Sequence, residues 1–472
     1  MPEYQDFEKS IDEAVSKFKA LDKNERIRVI SHLDADGICA CAILLKALNH
    51  DNRNYSISIV QQLNESILTN LGKEDYRYYF FTDLGSGQID LISRKLKDKK
   101  VFIFDHHTPK STAQSENIVH VNPHLHGIDG GSEISGSGVV FLFTNRLNSK
   151  SDMAHIAVIG AIGDVQENNG FKRLNNDILQ TALKEGKISI KKGLRVFGMQ
   201  TKPLHKTLEY CTDPYIPGVT GSESGAIQFL KNIGIDPKHQ NSWKKMIHLN
   251  DDEMKKLVAG IILKRADQKN PEDVIGNVYL LRDEAEESAL KDAKEFATLL
   301  NSCGRLNKAS LGIGVCLNDS TAKRKALENS DNYKREIIKA MEWYNKNKNT
   351  KDITLENGFI IINAKENILA SMAGTIASIL SKSNDIKKGT FVMSLARNPV
   401  EETTKVSLRV AGRDPENDLR KIVDKITQPI NGSEAGGHKE AAGAIVPTEQ
   451  EDTFIEEAKR VLRSYTIEEK IE

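Results

Sequence analysis

The residues of this chain best suited to chemistry are aspartates and histidines, arriving in short groups that each follow an apolar run. The first group is Ser31-His32-Leu33-Asp34-Ala35-Asp36-Gly37. His32, Asp34 and Asp36 sit two apart, so a chain leaving a strand in extended form would point all three the same way. Three such groups repel one another unless a cation sits among them, whereas a single aspartate at a strand end commonly caps the next helix. The second group is Thr82-Asp83-Leu84-Gly85, after Tyr78-Tyr79-Phe80-Phe81; alone, Asp83 reads as a turn or cap residue. The third is Asp105-His106-His107-Thr108-Pro109, and neutral histidine is a favoured metal ligand. The fourth is Asp164, ending Gly160-Ala161-Ile162-Gly163; by itself it reads as structural.

The elements that must position these groups alternate between strand and helix. Arg26–Ser31, Tyr55–Val60, Tyr78–Thr82, Val101–Phe104 and Ile118–Asn122 carry strand patterns, and a helical stretch runs from Gly37 to about Asn49. Such alternation predicts an α/β fold with a doubly wound, mostly parallel sheet, whose ligands gather beyond the carboxyl ends of the strands. His32, Asp34, Asp36, Asp83, His106 and Asp164 all arrive at that edge. The set suffices for two cations sharing a carboxylate, a pair suited to in-line displacement at phosphorus. Mixed imidazole and carboxylate ligation favours manganese, with magnesium as the alternative ion.

Composition narrows the class. With 472 residues the chain is long enough for two or three domains, and its 66 basic side chains balance 66 acidic ones. A protein that coats nucleic acid shows a basic excess, so any such contact here belongs to a local groove. Five scattered cysteines without a Cys-x-x-Cys pair spell neither a disulfide framework nor a zinc module. The polar, helix-like amino terminus and the short apolar runs predict a cytoplasmic protein with no membrane segment.

Residues 1–190 thus read as the catalytic part. Gly186–Lys206, lysine-rich and without an acidic residue, reads as a linker, a connecting helix or a strand-binding surface. Thr212–Gly221 reads as a loop. Residues 191–345 as a whole form a connector and a charged, largely helical insertion, with a strand pattern at Val274–Leu281 and a helix at Phe296–Arg305. Residues 346–472 return to strand and helix as a smaller α/β domain, with a glycine-rich loop that carries a fifth group, Glu434-Ala435-Gly436-Gly437-His438-Lys439-Glu440-Ala441-Ala442-Gly443. Paired glycines let backbone amides approach an anion, and His438 adds a donor. Arg409, in Ser407-Leu408-Arg409, reads equally as a surface strand residue or as a phosphate clamp.

Taken in order, His-x-Asp-x-Asp-Gly, Thr-Asp-Leu-Gly, Asp-His-His and Gly-Asp resemble the motifs of the DHH phosphoesterase superfamily. Gly436-Gly437-His438-x-x-Ala441-Ala442-Gly443 and Ser407-x-Arg409 resemble its DHHA1 domain. The resemblance implies that His32 and Asp34 hold one metal, that Asp36, His106 and Asp164 hold the other, and that Asp83 bridges. Asp105 would orient a neighbour, and His107 would face the scissile phosphate as proton donor or charge stabiliser. Ser407, Arg409, Gly436, Gly437 and His438 would grip the substrate. Thr212-Asp213-Pro214 and Phe296–Arg305 are similar to segments of archaeal RecJ-like proteins, among them a nuclease that associates with the GINS replication complex. The expected activity is therefore a RecJ-like, metal-dependent exonuclease on single-stranded DNA or RNA in replication or repair, with a GINS-type complex as protein partner. Two alternatives share these domains: an oligoribonucleotide or cyclic-dinucleotide phosphodiesterase, and a non-catalytic replisome scaffold, against which the complete ligand set argues.

Overall fold

The structure, a computed structural model, describes residues 2–111, 115–147, 152–167, 170–211, 214–268, 270–383, 385–412 and 417–468. The chain divides into two compact units, residues 1–330 and 331–472.

The first unit opens with α1 (Pro2–Lys19), β1 (Ile27–His32), α2 (Ala35–His50), β2 (Tyr55–Val60), α3 (Glu65–Lys73), β3 (Tyr78–Thr82), α4 (Ile89–Lys95), β4 (Lys100–Phe104) and β5 (Ile118–Val121). The five strands form one sheet in the order β2-β1-β3-β4-β5, every pairing parallel. Helices cover both faces, which is why β3 and β4 are continuous apolar runs rather than alternating ones. Phe80, Phe102 and Phe104 point into one core with Phe7, Phe18 and Phe143. Tyr79, Phe81, Val101 and Ile103 point into the other with Leu68 and Ile92. The strand order reverses between β1 and β3, and a ligand crevice is expected at that switch.

Helices α5 (Gly136–Leu147), α6 (Ala154–Gly163) and α7 (Arg173–Lys184) follow. Next comes β6 (Ile188–Leu194), which pairs antiparallel with β9 (Ile275–Leu281). This corrects the reading of Gly186–Lys206 as a linker or connecting helix: Ile188 and Ile190 alternate with polar residues, and β9 supplies the partner that the local sequence does not contain. Between them lie α8 (Leu204–Glu209), α9 (Glu223–Asn232), the short hairpin of β7 (Lys238–His239) and β8 (Ser242–Trp243), and α10 (Asp251–Lys264). They enclose a core of their own around Leu204, Leu208, Phe229, Leu230, Leu257 and Ile261. Thr212 and Asp213 fall outside the described residues. Helices α11 (Ala293–Arg305) and α12 (Ala309–Cys316) instead bury Phe296, Leu300 and Ile313 in the first core, with residues of α2.

The division between units falls within α13 (Ser320–Asn347). The second unit contains β10 (Ile353–Glu356), β11 (Phe359–Asn363), α14 (Ala373–Ser381), β12 (Phe391–Asn398), β13 (Thr403–Val410), α15 (Leu419–Thr427), β14 (Glu434–His438), β15 (Ala441–Pro447) and α16 (Glu451–Glu468). Its sheet runs β10-β11-β12-β13-β15-β14, antiparallel except for β11 with β12. Gly436 and Gly437 therefore lie in a strand of a hairpin rather than in a free loop. A side chain on Gly437, at φ +128°, would collide with the Ala441 carbonyl, so close strand approach explains that glycine. Among the described residues no helix is long and apolar enough to cross a membrane.

Candidate metal centre

The carboxyl ends of β1, β3 and β4 bring the first three groups together. β1 ends on His32, but the chain does not stay extended beyond it. α2 begins at Ala35, so Asp34 is its cap, accepting from the Gly37 amide at 3.0 Å, and Asp36 lies in its first turn. Capping and convergence operate together here: the helix start turns Asp36 inward while Asp34 stays beside His32. His32 Nδ1 lies 3.0 Å from Asp34 Oδ2 and 3.5 Å from Asp83 Oδ2.

Asp83, just past β3, has φ +60°, a left-handed backbone that is uncommon outside glycine and concentrates at functional sites. It is 1% exposed, and neither carboxylate oxygen has a hydrogen-bond donor. Leaving a buried charge in that state costs several kcal/mol unless something else completes it. His106 Nε2 approaches Asp83 Oδ1 at 3.3 Å and Asp36 Oδ2 at 3.8 Å. The other ring nitrogen, Nδ1, lies 2.7 Å from the Gly130 carbonyl; donating its proton there leaves the Nε2 lone pair facing the carboxylates. Any side chain on Gly130 would strike the His106 carbonyl.

Asp36 is tied down from afar. The Gly136 and Ser137 amides at the start of α5 donate to its two oxygens at 2.7 and 3.1 Å. A side chain on Gly136 would overlap Asp83, so the glycine is what lets the helix end come this close. Asp164 caps the end of α6, accepts from Gln166 Nε2 at 2.7 Å and lies 3.8 Å from His106 Nδ1. Asp105 is held on both oxygens: the Ser86 amide donates to Oδ2, the His106 and His107 amides donate to Oδ1, and His107 Nδ1 sits 2.7 Å from Oδ1. It holds the loop and the His107 ring.

The electrostatics record the crowding. Burial, then the Asp83 charge, push Asp36 up to about 8, and burial raises Asp164 as well. Burial opposes charge on His32 and His106, yet the surrounding aspartates outweigh it and hold both well above the ordinary imidazole range. Asp105 lies well below the carboxylate range; burial opposes this, but His107 and the backbone amides prevail. Without a cation the site is thus a set of groups competing for protons.

Two groups of ligand atoms each lie mutually within 4.8 Å: His32, Asp34 and Asp83; and Asp83, His106 and His107. Asp83 belongs to both. The orphaned oxygens and the donor set fit a pair of divalent cations. His107 is near enough to Asp83 to serve as a ligand, whereas Asp36 and Asp164 surround His106 at longer range. Sequence reasoning missed Asn301, whose Oδ1 accepts the Ala35 amide at 2.9 Å, fixing the backbone between Asp34 and Asp36. It comes from α11, some 266 residues on, and no local pattern announces it. Gly304 on the same helix packs directly on the Leu33 carbonyl.

In the second unit, Ser407 and Arg409 project from β13. Arg409 donates to the Ser378 hydroxyl at 3.1 Å, the Ser407 hydroxyl at 3.0 Å and the Leu408 carbonyl at 2.8 Å. Ser407, Gly443 and Gly436 sit in register across β13, β15 and β14, so Ser407, Arg409 and the paired glycines share one sheet. The His438 backbone pairs with Ala441, and its side chain lies outside the described ones.

Residues 26–163 match the DHH family, N-terminal domain, residues 196–278 the DHH-CID domain, and residues 357–464 the DHHA1 domain. The chain is 31% identical over 452 residues, 94% of its length and 95% of the relative's, to the uncharacterized protein MJ0831 of Methanocaldococcus jannaschii. In fold it is similar to CDC45 from Entamoeba histolytica (TM-score 0.66, 12% identity, 97% of this chain and 99% of that one). It is likewise similar to RecJ from Thermus thermophilus in complex with Mn2+ (TM-score 0.58, 19% identity, 98% of this chain), of which it spans 55%. With three domains matched in order and a relative aligned almost end to end, the chain belongs to the DHH phosphoesterase family and has its RecJ-like fold.

Proposed function

We propose that this chain is a metal-dependent exonuclease that hydrolyses phosphodiester bonds of single-stranded DNA or RNA. The observation that carries the reading is Asp83, a buried carboxylate with two unpartnered oxygens standing between two groups of ligand atoms. His32 and Asp34 would hold one divalent cation and His106, Asp36 and Asp164 the other, with Asp83 between, manganese being the favoured ion and magnesium the alternative. Bound there, the pair would stabilise the attacking and leaving oxygens of an in-line displacement.

The chain's own residues do the rest. The Asp105 carboxylate fixes the His107 ring through Nδ1, so the proton available to a substrate sits on Nε2, and His107 is itself raised above the ordinary imidazole range, Asp105 outweighing burial. That proton goes to the departing oxygen of the nucleotide chain. Asp105 is a positioning residue, as are Gly130 and Gln166 around His106. Arg409 and Ser407, with Gly436 and Gly437 of the same sheet, would hold a second phosphate. As protein partner we propose a GINS-type replication complex; the fold likeness to CDC45 is in keeping with it.

The test is digestion of end-labelled single-stranded DNA and RNA with manganese, beside closed circular single strands and blunt duplex. Progressive shortening of the linear strand alone is expected. Cutting of circles, or equal digestion of duplex, would refute action from an end; no hydrolysis of any of them would leave the scaffold reading.

A further inference from the structure

Among the described residues, four aromatic side chains stand well exposed: Phe197, Tyr210, Tyr215 and Trp243, at 38, 56, 40 and 39%. All four lie in the DHH-CID domain, which is a small part of the chain. Exposed rings carry a hydrophobic cost, and their confinement to one domain asks for a ligand.

Three of them are joined by contacts into a strip. Trp243, on β8, packs against the buried His205 ring of α8 at 4.2 Å between centroids. Its register partner on β7, Lys238, places its ammonium 5.3 Å from the Trp243 ring. One residue after His205, Lys206 reaches to 5.6 Å from Tyr210. Lys202 lies between Tyr210 and Phe197, at 5.0 and 4.8 Å. Trp243 also borders an open cavity of about 620 Å³ whose other walls include His239, Lys245 and His248, with the two histidine rings stacked at 4.6 Å. That volume lies within the range of small-ligand sites.

The cations select the partner. Protein interfaces enrich arginine and deplete lysine. Here every strong cation from 196 to 264 is lysine, and that whole stretch contains no arginine. Alternating rings and flexible point charges match alternating bases and phosphates instead. We propose that the Phe197–Tyr210–Trp243 strip of the DHH-CID domain is a stacking platform for unpaired nucleic acid, taking bases on its rings and phosphates on Lys202, Lys206 and Lys238. The proposal rests on the single-strand reading of the metal centre for its substrate class, and adds a second, non-catalytic contact with that strand. Lys206 is also paired with Glu209 and Glu223, at 2.9 and 2.8 Å, which lowers its share of the phosphate contact.

The test reads binding without cleavage. The chain has two tryptophans, Trp243 and Trp343, so a Trp343→Phe protein, kept in chelator, reports Trp243 alone. An oligothymidylate or oligouridylate of about twenty nucleotides should quench it saturably, with blunt duplex of equal length doing so far less. In the same buffer, read instead by the anisotropy of an end-labelled strand, Tyr210→Ala and Trp243→Ala should each weaken binding about tenfold, with Trp243→Phe retaining most of it. Lys202→Ala and Lys238→Ala should each lower the salt slope by about one. Absence of quenching at strand concentrations of about 10⁻⁴ M, or equal quenching by duplex, overturns the platform and makes the strip a protein contact. Quenching by a strand that the metal-loaded enzyme never degrades upholds the platform and removes the nuclease reading instead.

Discussion

Two buried carboxylates, one in each unit, meet opposite fates. Glu451, 1% exposed at the start of α16, is completed from within: Arg397 donates at 3.0 and 2.8 Å, Thr404 at 2.7 Å and Asn363 at 2.8 Å. Asp83, equally buried, accepts no hydrogen bond on either oxygen; the His32 and His106 rings stand at 3.5 and 3.3 Å, and other acids crowd it. A fold that can satisfy one buried carboxylate so fully is capable of satisfying another. Leaving Asp83 bare, on a strained backbone, is therefore the mark of a ligand supplied from outside.

The comparison is broken most sharply at Asp83. Asp83→Asn keeps the shape and tolerates the left-handed backbone, yet removes the charge. Hydrolysis should fall by more than the roughly 10–100-fold typical of residues that merely support a metal ligand. Metal at about a hundred times its dissociation constant should stabilise the wild-type fold by about 2.7 kcal/mol, and the variant should lose that gain. Without metal, the variant should be no less stable than wild type, since it removes a repelling charge; thermal melts with and without manganese check both.

Glu451 should behave in reverse. Glu451→Ala strands Arg397 and should destabilise the second unit by about 3–5 kcal/mol while leaving manganese affinity intact, as read by denaturant unfolding beside metal titration. Burial opposes charge on Glu451, but its donors outweigh it and hold the group below the ordinary range. Its contribution is then fully present above the unfolded value of about 4.3 and is lost as pH falls through the lower folded value. Stability measured down that range should drop in wild type and stay flatter in Glu451→Gln.

Asn301 sharpens the contrast between satisfying a site and supporting it. Asn301→Ala should lower manganese affinity roughly 10–100-fold while costing only about 1 kcal/mol of stability. Calorimetric titration and melts separate the two; equal loss of stability and affinity would make Asn301 merely structural. A fully active Cys39→Ala enzyme, the smallest effect expected, would show that burial near α2 is not what matters.

What could be read from sequence followed the range of the interactions. β3 and β4 are visible because both their faces are covered, so their residues are largely apolar, and the aspartates and histidines follow directly; β1 shows as a short β-branched run interrupted by Arg28 and Ser31. The turn at Ala35 is not visible, since an extended and a helical continuation of His32-Leu33-Asp34 place the same residue types near one another. β6 was misread because its partner β9 lies far along the chain, and the lysines on its exposed side resemble a linker. The amides of Gly136 and Ser137, and the side chain of Asn301, reach the site only through tertiary packing. In the second unit the Gly436-Gly437 pair suggests a loop, but the register with β15 makes it a strand, in which a side chain at position 437 would meet the Ala441 carbonyl.

The most direct test of the central claim, that Asp83 joins two cations, is manganese stoichiometry read with electron paramagnetic resonance. The account predicts two manganese ions per chain giving an exchange-coupled spectrum, and a loss of that coupling in Asp83→Asn. A single ion, or two with isolated six-line spectra in the wild-type protein, would contradict it.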